Sequence, residues 1–407
     1  MIDDKCIEDI IHKYFQRNNI LVNHQIESYN DYIDNILPNI LAQYFPLTIN
    51  FNDKVSTIKN ITLRIISMEV DSPYYTENNG CSKIMTPNIA RLRNYTYSST
   101  IFINIGVIMS IYQGDIVIQK SEKIIKRVIL GNFPIIVKSK YCVYKNDILS
   151  ECKYDIGGYA IINGNEKVII TQEKIIPNII QVYKNSKNTA KYSYISEVRS
   201  CNEKIFGPTK TISIKITKKK NNSEDRLYIS FPHIKQDIPL YILFKALGCL
   251  SDKEITYFII DNNQSNLDFE MIRLLKSSME EASEIKTEIE AIKFISKYIN
   301  HINTSFTNEM KINYCKSILT KEYLPHLYDD TYHKIYFTGL MVNKLLKCYF
   351  NITPCNDRDS YINKRFETPG YLLGNLTYQC IHKITKDIKN FVTKEVNSGL
   401  WNLNNNP

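Results

Sequence analysis

The stretch ECKYDIGGYAIINGNEKVIITQEK, residues 151–174, decides the reading of this chain. Gly157 and Gly158 punctuate its start, residues 159–162 read as a short strand, and residues 165–170 read as a returning one. Asn163-Gly164 stands between them. An Asn-Gly pair flanked by apolar β-branched runs is a strong hairpin signal, because both residues tolerate the positive φ of a type I′ turn. Glu166 and Lys167 follow the turn and are expected at a polar tip, with Val168, Ile169 and Ile170 deeper in. Taken on physics alone, this hairpin has a purely structural reading.

The totals bound the rest. At 407 residues the chain has room for two or three domains, each with its own core. A hydrophobic fraction of 43% and a charged fraction of 23% are those of an ordinary soluble globular protein. The formal charge of +9 favours anionic partners such as nucleic acid, though solvated lysines explain it equally. Ten cysteines are present without a CxxC pair; Cys142 with Cys152 and Cys348 with Cys355 lack zinc-knuckle spacing. Free, mostly buried thiols in a reducing compartment are expected. No signal peptide and no apolar run of roughly 18 residues appears, which argues against a secreted or membrane protein.

Upstream of the hairpin, Ile7, Ile10, Ile11, Tyr14 and Phe15 recur at helical spacing after Asp3 and Asp4. Residues 21–37 continue the pattern, with Val22, Ile26, Tyr29 and Ile33 on one face and Pro38 expected to end it. Residues 62–68 and 100–111 carry enough β-branched side chains to be strands. In TPNIARLRNYTYSS, residues 86–99, Arg91 and Arg93 share a face if the backbone is extended. An ion pair with nearby carboxylates and a phosphate contact are both open for them. In NFPIIVKSKYC, residues 132–142, Lys138 and Lys140 would project from one side of a strand. Such a rail suits a nucleic-acid backbone, and a lysine-guarded sheet edge is the competing explanation.

Downstream, the polar run NSKNTAKYS after Lys184 reads as a domain crossing. Residues 211–216 and 227–231 read as paired strands around the loop KKKNNSEDR, whose Lys218, Lys219 and Lys220 suit a solvated loop better than a DNA contact. In PHIKQDIPLYILFKALG a helix should end at Gly248, and helices are expected over 255–260, 271–279, 289–299, 312–319 and 331–349. His326, Asp329, Asp330 and His333 invite a metal reading, against which stands an ordinary Asp-rich turn. Asp357 and Asp359 form an Asp-x-Asp pair of the sort used in two-metal chemistry; they are expected instead to pair with Arg358, Lys364 or Arg365 and hold a loop. Residues 370–396 read as a long helix with Leu372, Leu373, Leu376, Ile384, Ile388 and Phe391 inward and Lys383, Lys386 and Lys389 on another face.

Several of these segments carry a resemblance. GGYAIINGNEKVII resembles the GGYFIINGSEKV-type segment of the second-largest (β-type) subunit of multisubunit DNA-directed RNA polymerases. LVNHQIESYNDYI, TPNIARLRNYTYSS, NFPIIVKSKYC, PHIKQDIPLYILFKALG, KEYLPH and NDRDSYINKRFETPGYLLGNL resemble further segments of the same subunit, in the family's order and in its eukaryotic polymerase II-like form. Departures at Ile156, Asn165 and Thr368-Pro369 point to a divergent member, such as one encoded by a large DNA virus.

The resemblance implies a mixed α/β (α+β) architecture. A "protrusion" would be built from both chain ends (1–183 and 357–407), with a "lobe" inserted at 184–356, together forming one wall of the DNA cleft. The chain would be the N-terminal third of the subunit, from a split gene or a truncated chain, stopping before the fork, wall and clamp. Its site residues would then be nucleic-acid-facing and not catalytic: Lys364 and Arg365 foremost, then Arg358, Lys167, Glu166, Asn163, Arg91, Arg93, Lys138 and Lys140, with Ile170 beside the hairpin tip. The catalytic aspartates belong to the largest subunit's DxDGD-type motif, absent from this sequence. No cofactor is implied for this stretch, and Mg2+ and Zn2+ for the complete enzyme. Implied partners are the largest subunit, the remaining C-terminal part of the second-largest one, other subunits and initiation factors, DNA and the RNA–DNA hybrid, and no membrane. The expected location is intracellular: the nucleus, or the cytoplasm and virion if the gene is viral. Two rivals remain open, a free-standing nucleic-acid-binding module and a self-sufficient metal-dependent nucleotidyl enzyme using Asp357 and Asp359.

Overall fold

Strands and helices come in separate runs along the chain, which forms two compact units, Met1–Gln172 with Phe366–Pro407, and Glu173–Arg365. The computed structural model describes residues 4–16, 20–51, 58–113, 116–144, 152, 154–185, 191–202, 204–217, 225–260, 266–300 and 307–398. Both chain ends therefore belong to one unit and the other is inserted. Lys218, Lys219 and Lys220, and the terminal WNLNNNP, lie outside the described residues.

The first unit opens with helices α1 (Asp4–Phe15), α2 (Asn23–Asp31) and α3 (Leu37–Tyr44). Pro38 does not stop this run. A π-helical turn, Tyr32–Ile36, precedes it, and the helix continues through the proline. Proline lacks the N–H that would reach the carbonyl four residues back, so a wide turn at that point absorbs the missing bond and the ring's bulk. Strands β1 (Leu47–Asn50), β2 (Ile58–Val70), β3 (Tyr74–Thr76) and β4 (Ser82–Ile84) come next, then helix α4 (Pro87–Leu92) and the long strands β5 (Ser98–Gln113) and β6 (Ile116–Pro134). Among the described residues β1-β2-β5-β6 form one antiparallel sheet in that order. The hairpin strands β7 (Ala160–Ile162) and β8 (Asn165–Lys167) follow.

The second unit begins with β9 (Gln172–Ile175) and an antiparallel sheet of β10 (Gln181–Lys184), β11 (Tyr192–Ser200), β12 (Lys210–Thr217), β13 (Leu227–Ser230) and β14 (Ile238–Pro239), in that order. The polar run read as a domain crossing joins the paired strands β10 and β11. Helix α5 (Leu240–Ala246) has all seven of its residues buried. Even Lys245 is inside, where its ammonium donates to the carbonyls of Ala282 (2.8 Å) and Ile285 (2.9 Å) just past the next helix but one. Gly248 takes a positive φ of 98° after that helix, as the sequence predicts.

Helices α6 (Asp252–Ile259), α7 (Asn266–Glu281), α8 (Glu288–Ser296), α9 (Asn308–Lys321) and α10 (Thr331–Tyr349) then cover the predicted helical stretches. Ile212, Ile214 and Ile216 of the sheet share one core with Leu243, Phe244, Leu345 and Leu346. Strand β15 (Lys364–Glu367) pairs with β9.

Helix α11 (Pro369–Asn397) returns to the first unit. It buries Gly370, Gly374, Thr377, Ile381, Thr385, Val392 and Val396, whereas Leu376, Ile384 and Phe391 are exposed. The expected inward face was therefore misplaced for those three residues. Close approach selects small side chains: the Tyr32 hydroxyl bonds Thr377, and the Gly370 N–H donates to Ser28 Oγ (2.8 Å). The thiols are free as expected, but they are less buried than expected. All ten are free, and Cys6, Cys81, Cys152, Cys355 and Cys380 are exposed.

Candidate nucleic-acid interface

The turn at Asn163-Gly164 has φ of 50° and 77°, as a type I′ turn requires, and Ala160, Ile161 and Ile162 face Lys167, Glu166 and Asn165 across it. The returning strand is shorter than predicted. It ends at Lys167, and Val168 and Ile170 are exposed rather than deep. The Ile169 carbonyl accepts from Gln25 Nε2 (3.2 Å), which ties the exit to helix α2.

What holds the hairpin is the TPNIARLRNYTYSS segment. Residues 87–92 are helical, so Arg91 and Arg93 do not share an extended face. Thr86 caps this helix by accepting from the Ile89 N–H (3.2 Å). The chain leaving it lies along the hairpin: Tyr97 N–H donates to the Ile161 carbonyl (2.9 Å), and Gly164 N–H to the Tyr95 carbonyl (3.0 Å). Thr96 Oγ1 donates to Asn163 Oδ1 (3.1 Å). A Cβ on Gly164 would sit 2.5 Å from Asn94 Oδ1 and 2.9 Å from its Cα, so positive φ and close approach both demand glycine there.

Arg91 is the hub of this contact. Its Nε donates to Glu166 Oε1 (2.7 Å) and its Nη2 to the Tyr159 hydroxyl (2.6 Å), with Asp155 Oδ2 at 3.7 Å. Burial, and next the hydrogen bond to Asp155, push the Tyr159 hydroxyl above its ordinary range. With two carboxylates around one guanidinium, Arg91 is committed to the protein's own anions. Asp155 and Tyr159 escaped the sequence reading. The signal was there in YDIGGY, because an Asp two residues before a Gly favours the Asx turn seen here, Gly157 N–H to Asp155 Oδ1 at 2.8 Å.

The other cations divide into partnered and free. Lys138 and Lys140 do not form a strand rail: β6 ends at Pro134, and Lys138 lies in a turn with φ of 66°. Lys138 donates to the Asp155 carbonyl, and Lys140 contacts both Asp34 oxygens at 2.9 Å. Arg93 lies 5.1 Å from the Tyr75 ring centroid and 3.9 Å from Glu77. In the second unit Lys364 bonds Glu173 (2.8 Å), and Arg365 Nη1 donates to its neighbours' carbonyls at Ile362 (3.3 Å) and Lys364 (2.7 Å). Arg358 covers the Tyr183 ring at 5.6 Å. Lys167, Arg358 and Arg365 make no ion pair among the described residues.

The expected loop-holding pairs of Asp357 and Asp359 with these cations are not formed. Asp357 Oδ1 accepts from the Asp359 N–H (2.9 Å), and its carbonyl from Asn363 Nδ2 (2.8 Å). The metal reading fares no better. Asp330 caps α10 and bonds His333 Nδ1 (2.6 Å), while His326 Nδ1 shares a hydrogen bond with Ser200 Oγ (2.7 Å). Among the described residues no three His, Cys, Asp or Glu side chains are arranged to hold a metal ion.

The family described as RNA polymerase beta subunit matches residues 20–405. The chain belongs to that family. It is 34% identical over 415 aligned residues to DNA-directed RNA polymerase II subunit 2 of Arabidopsis thaliana, covering 96% of this chain and 34% of the plant protein. It is 33% identical to DNA-directed RNA polymerase II subunit RPB2 of Eremothecium gossypii, over 94% of this chain and 33% of that one. With DNA-directed RNA polymerase subunit Rpo2N of Methanocaldococcus jannaschii it shares 30% identity, over 94% of this chain and 73% of the archaeal one. The chain thus spans about a third of the length of its eukaryotic relatives. As a member of the β subunit family it carries the Asn-Gly hairpin and its α4 support inside the matched range.

Proposed function

We propose that this chain is the N-terminal portion of the second-largest subunit of a DNA-directed RNA polymerase. In that assembly it forms one wall of the DNA cleft and guides DNA during transcription, and the catalytic aspartates and their Mg2+ come from the largest subunit. The two units take the protrusion and lobe roles. The remaining C-terminal part of the subunit, the other subunits and initiation factors complete the complex, in the nucleus or, for a virus-encoded enzyme, in the cytoplasm and virion.

The family match across residues 20–405 carries this reading. The free cations refine it. A cation already paired gains little by meeting a phosphate, since it must give up its carboxylate, whereas an unpaired one releases condensed counterions. Lys167 and Arg365 therefore rank above Arg91, Lys138, Lys140 and Lys364 as backbone contacts.

The test is retention of DNA by the reconstituted polymerase across a salt series, comparing wild type with Lys167→Ala/Arg365→Ala. Loss of two phosphate contacts should weaken retention and reduce the slope of log K against log salt by about 1–2. Unchanged affinity and slope would remove both residues from the DNA path. Asp357→Ala should leave nucleotide addition intact.

A further inference from the structure

We propose that a cavity in the second unit is a binding site for a free α-amino acid with an apolar side chain. The cavity holds about 280 Å³ and is lined from α5, α8, α9 and α10. That volume lies at the small end of ligand sites and suits a metabolite of a few atoms' breadth, not a large cofactor. Ala246, Ile292 and Leu319 give it a buried apolar wall, and Lys334, only 2% exposed, lines it beside them.

Lys334 carries the inference. An ammonium has three N–H donors. Two of them go to carbonyls near the end of α9, Leu319 (3.0 Å) and Thr320. Among the described residues none accepts the third, and the cavity is the space left to it. A buried cationic donor short of an acceptor gains a charge-assisted hydrogen bond from a carboxylate placed there. The exposed lining residues decide what else that ligand must carry. Lys316, Asp329 and Glu288 make no ion pair among the described residues, so with Lys334 the cavity presents two cations and two anions. A plain anion would meet the two carboxylates unfavourably, and a purely apolar molecule would leave the third N–H unmet. A zwitterion answers both: its carboxylate on Lys334 with Lys316, its ammonium on Asp329 or Glu288, and its side chain on the apolar wall. Burial lowers the Lys334 amine to about 8, with Asp329 pulling the other way. A bound carboxylate favours the charged form, so binding above that pH takes up a proton.

Isothermal titration calorimetry of the full chain tests this with three probes of one shape: L-leucine, 4-methylpentanoate, which lacks the ammonium, and 3-methylbutylamine, which lacks the carboxylate. Leucine should bind, and each singly charged probe should bind at least about tenfold more weakly, as loss of a charge-assisted bond requires. At about pH 8.5 the heat of leucine binding should change between phosphate and Tris buffers, because a proton is taken up. Lys334→Met should abolish both the binding and the buffer dependence. Asp329→Asn and Glu288→Gln alter exposed side chains and leave the core intact; their double variant should weaken leucine about tenfold while leaving 4-methylpentanoate no weaker. Absence of leucine binding up to about 10 mM would overturn the proposal. So would 4-methylpentanoate binding as tightly as leucine, or leucine affinity unchanged in the double variant.

Discussion

Helices α10 and α11 make opposite use of their apolar residues. Helix α10 turns its large side chains inward: Met341, Val342, Leu345 and Leu346 are fully buried in the core of the second unit. Helix α11 turns inward Gly370, Gly374, Thr377 and Thr385, and leaves Leu376 and Phe391 about 60% exposed. The first packs by filling volume, and the second by bringing backbones together. A Cβ on Gly370 would lie 1.9 Å from the Ser28 carbonyl oxygen, with no flexible side chain to give way. Hydrophobic periodicity thus reports a core face only where the partner surface is wide enough to accept large residues.

The contrast can be broken most sharply at Gly370. Gly370→Ala should destabilise the first unit by about 3 kcal/mol or more, because the clash is with backbone. Hydrogen exchange in residues 366–398 during urea titration reads it; unchanged protection would mean that the helix does not sit against α2. A second comparison pits two leucines against each other. Leu345→Ala should cost about 3 kcal/mol, as a buried truncation does, and Leu376→Ala less than about 0.5 kcal/mol. Similar losses at both sites would mean that α10 and α11 bury their leucines alike.

The smallest effect separates the lysines of the two helices. Lys334 of α10 is buried, and its ammonium donates to the Leu319 carbonyl (3.0 Å) and to Thr320, at the end of α9. Lys383, Lys386 and Lys389 of α11 are exposed. Desolvation lowers the Lys334 amine to about 8, against the smaller opposing pull of Asp329. A folded-state value below the unfolded one means that the unfolded chain binds more protons between pH 8 and 10.5, so this group's contribution to stability rises with pH across that window. Relative to Lys334→Met, the wild type should gain about 1–2 kcal/mol over it, measured as denaturation midpoints. A flat difference would show that the carbonyls keep Lys334 charged.

Much of the chain was legible beforehand for a common reason: its signals are local. The Asn163-Gly164 turn, the helices of the second unit and the glycine ending α5 follow from φ preferences and periodicity within a few residues. The site was legible only as a list. That Arg91 belongs to Glu166, Tyr159 and Asp155 depends on a helix in a piece whose backbone the sequence left open, and no spacing rule reports a contact across 75 positions. Lys364, for which the sequence offered Asp357, Asp359 or a phosphate, is brought by β15 beside Glu173 instead.

The sequence by itself determined the hairpin, the runs of strands and helices, and the family to which both belong. Tertiary structure alone decided which cations keep a free charge and which face of α11 is inside. Propensity and turn chemistry act on neighbours along the chain. Charge pairing and close approach act between atoms that only the completed fold brings together.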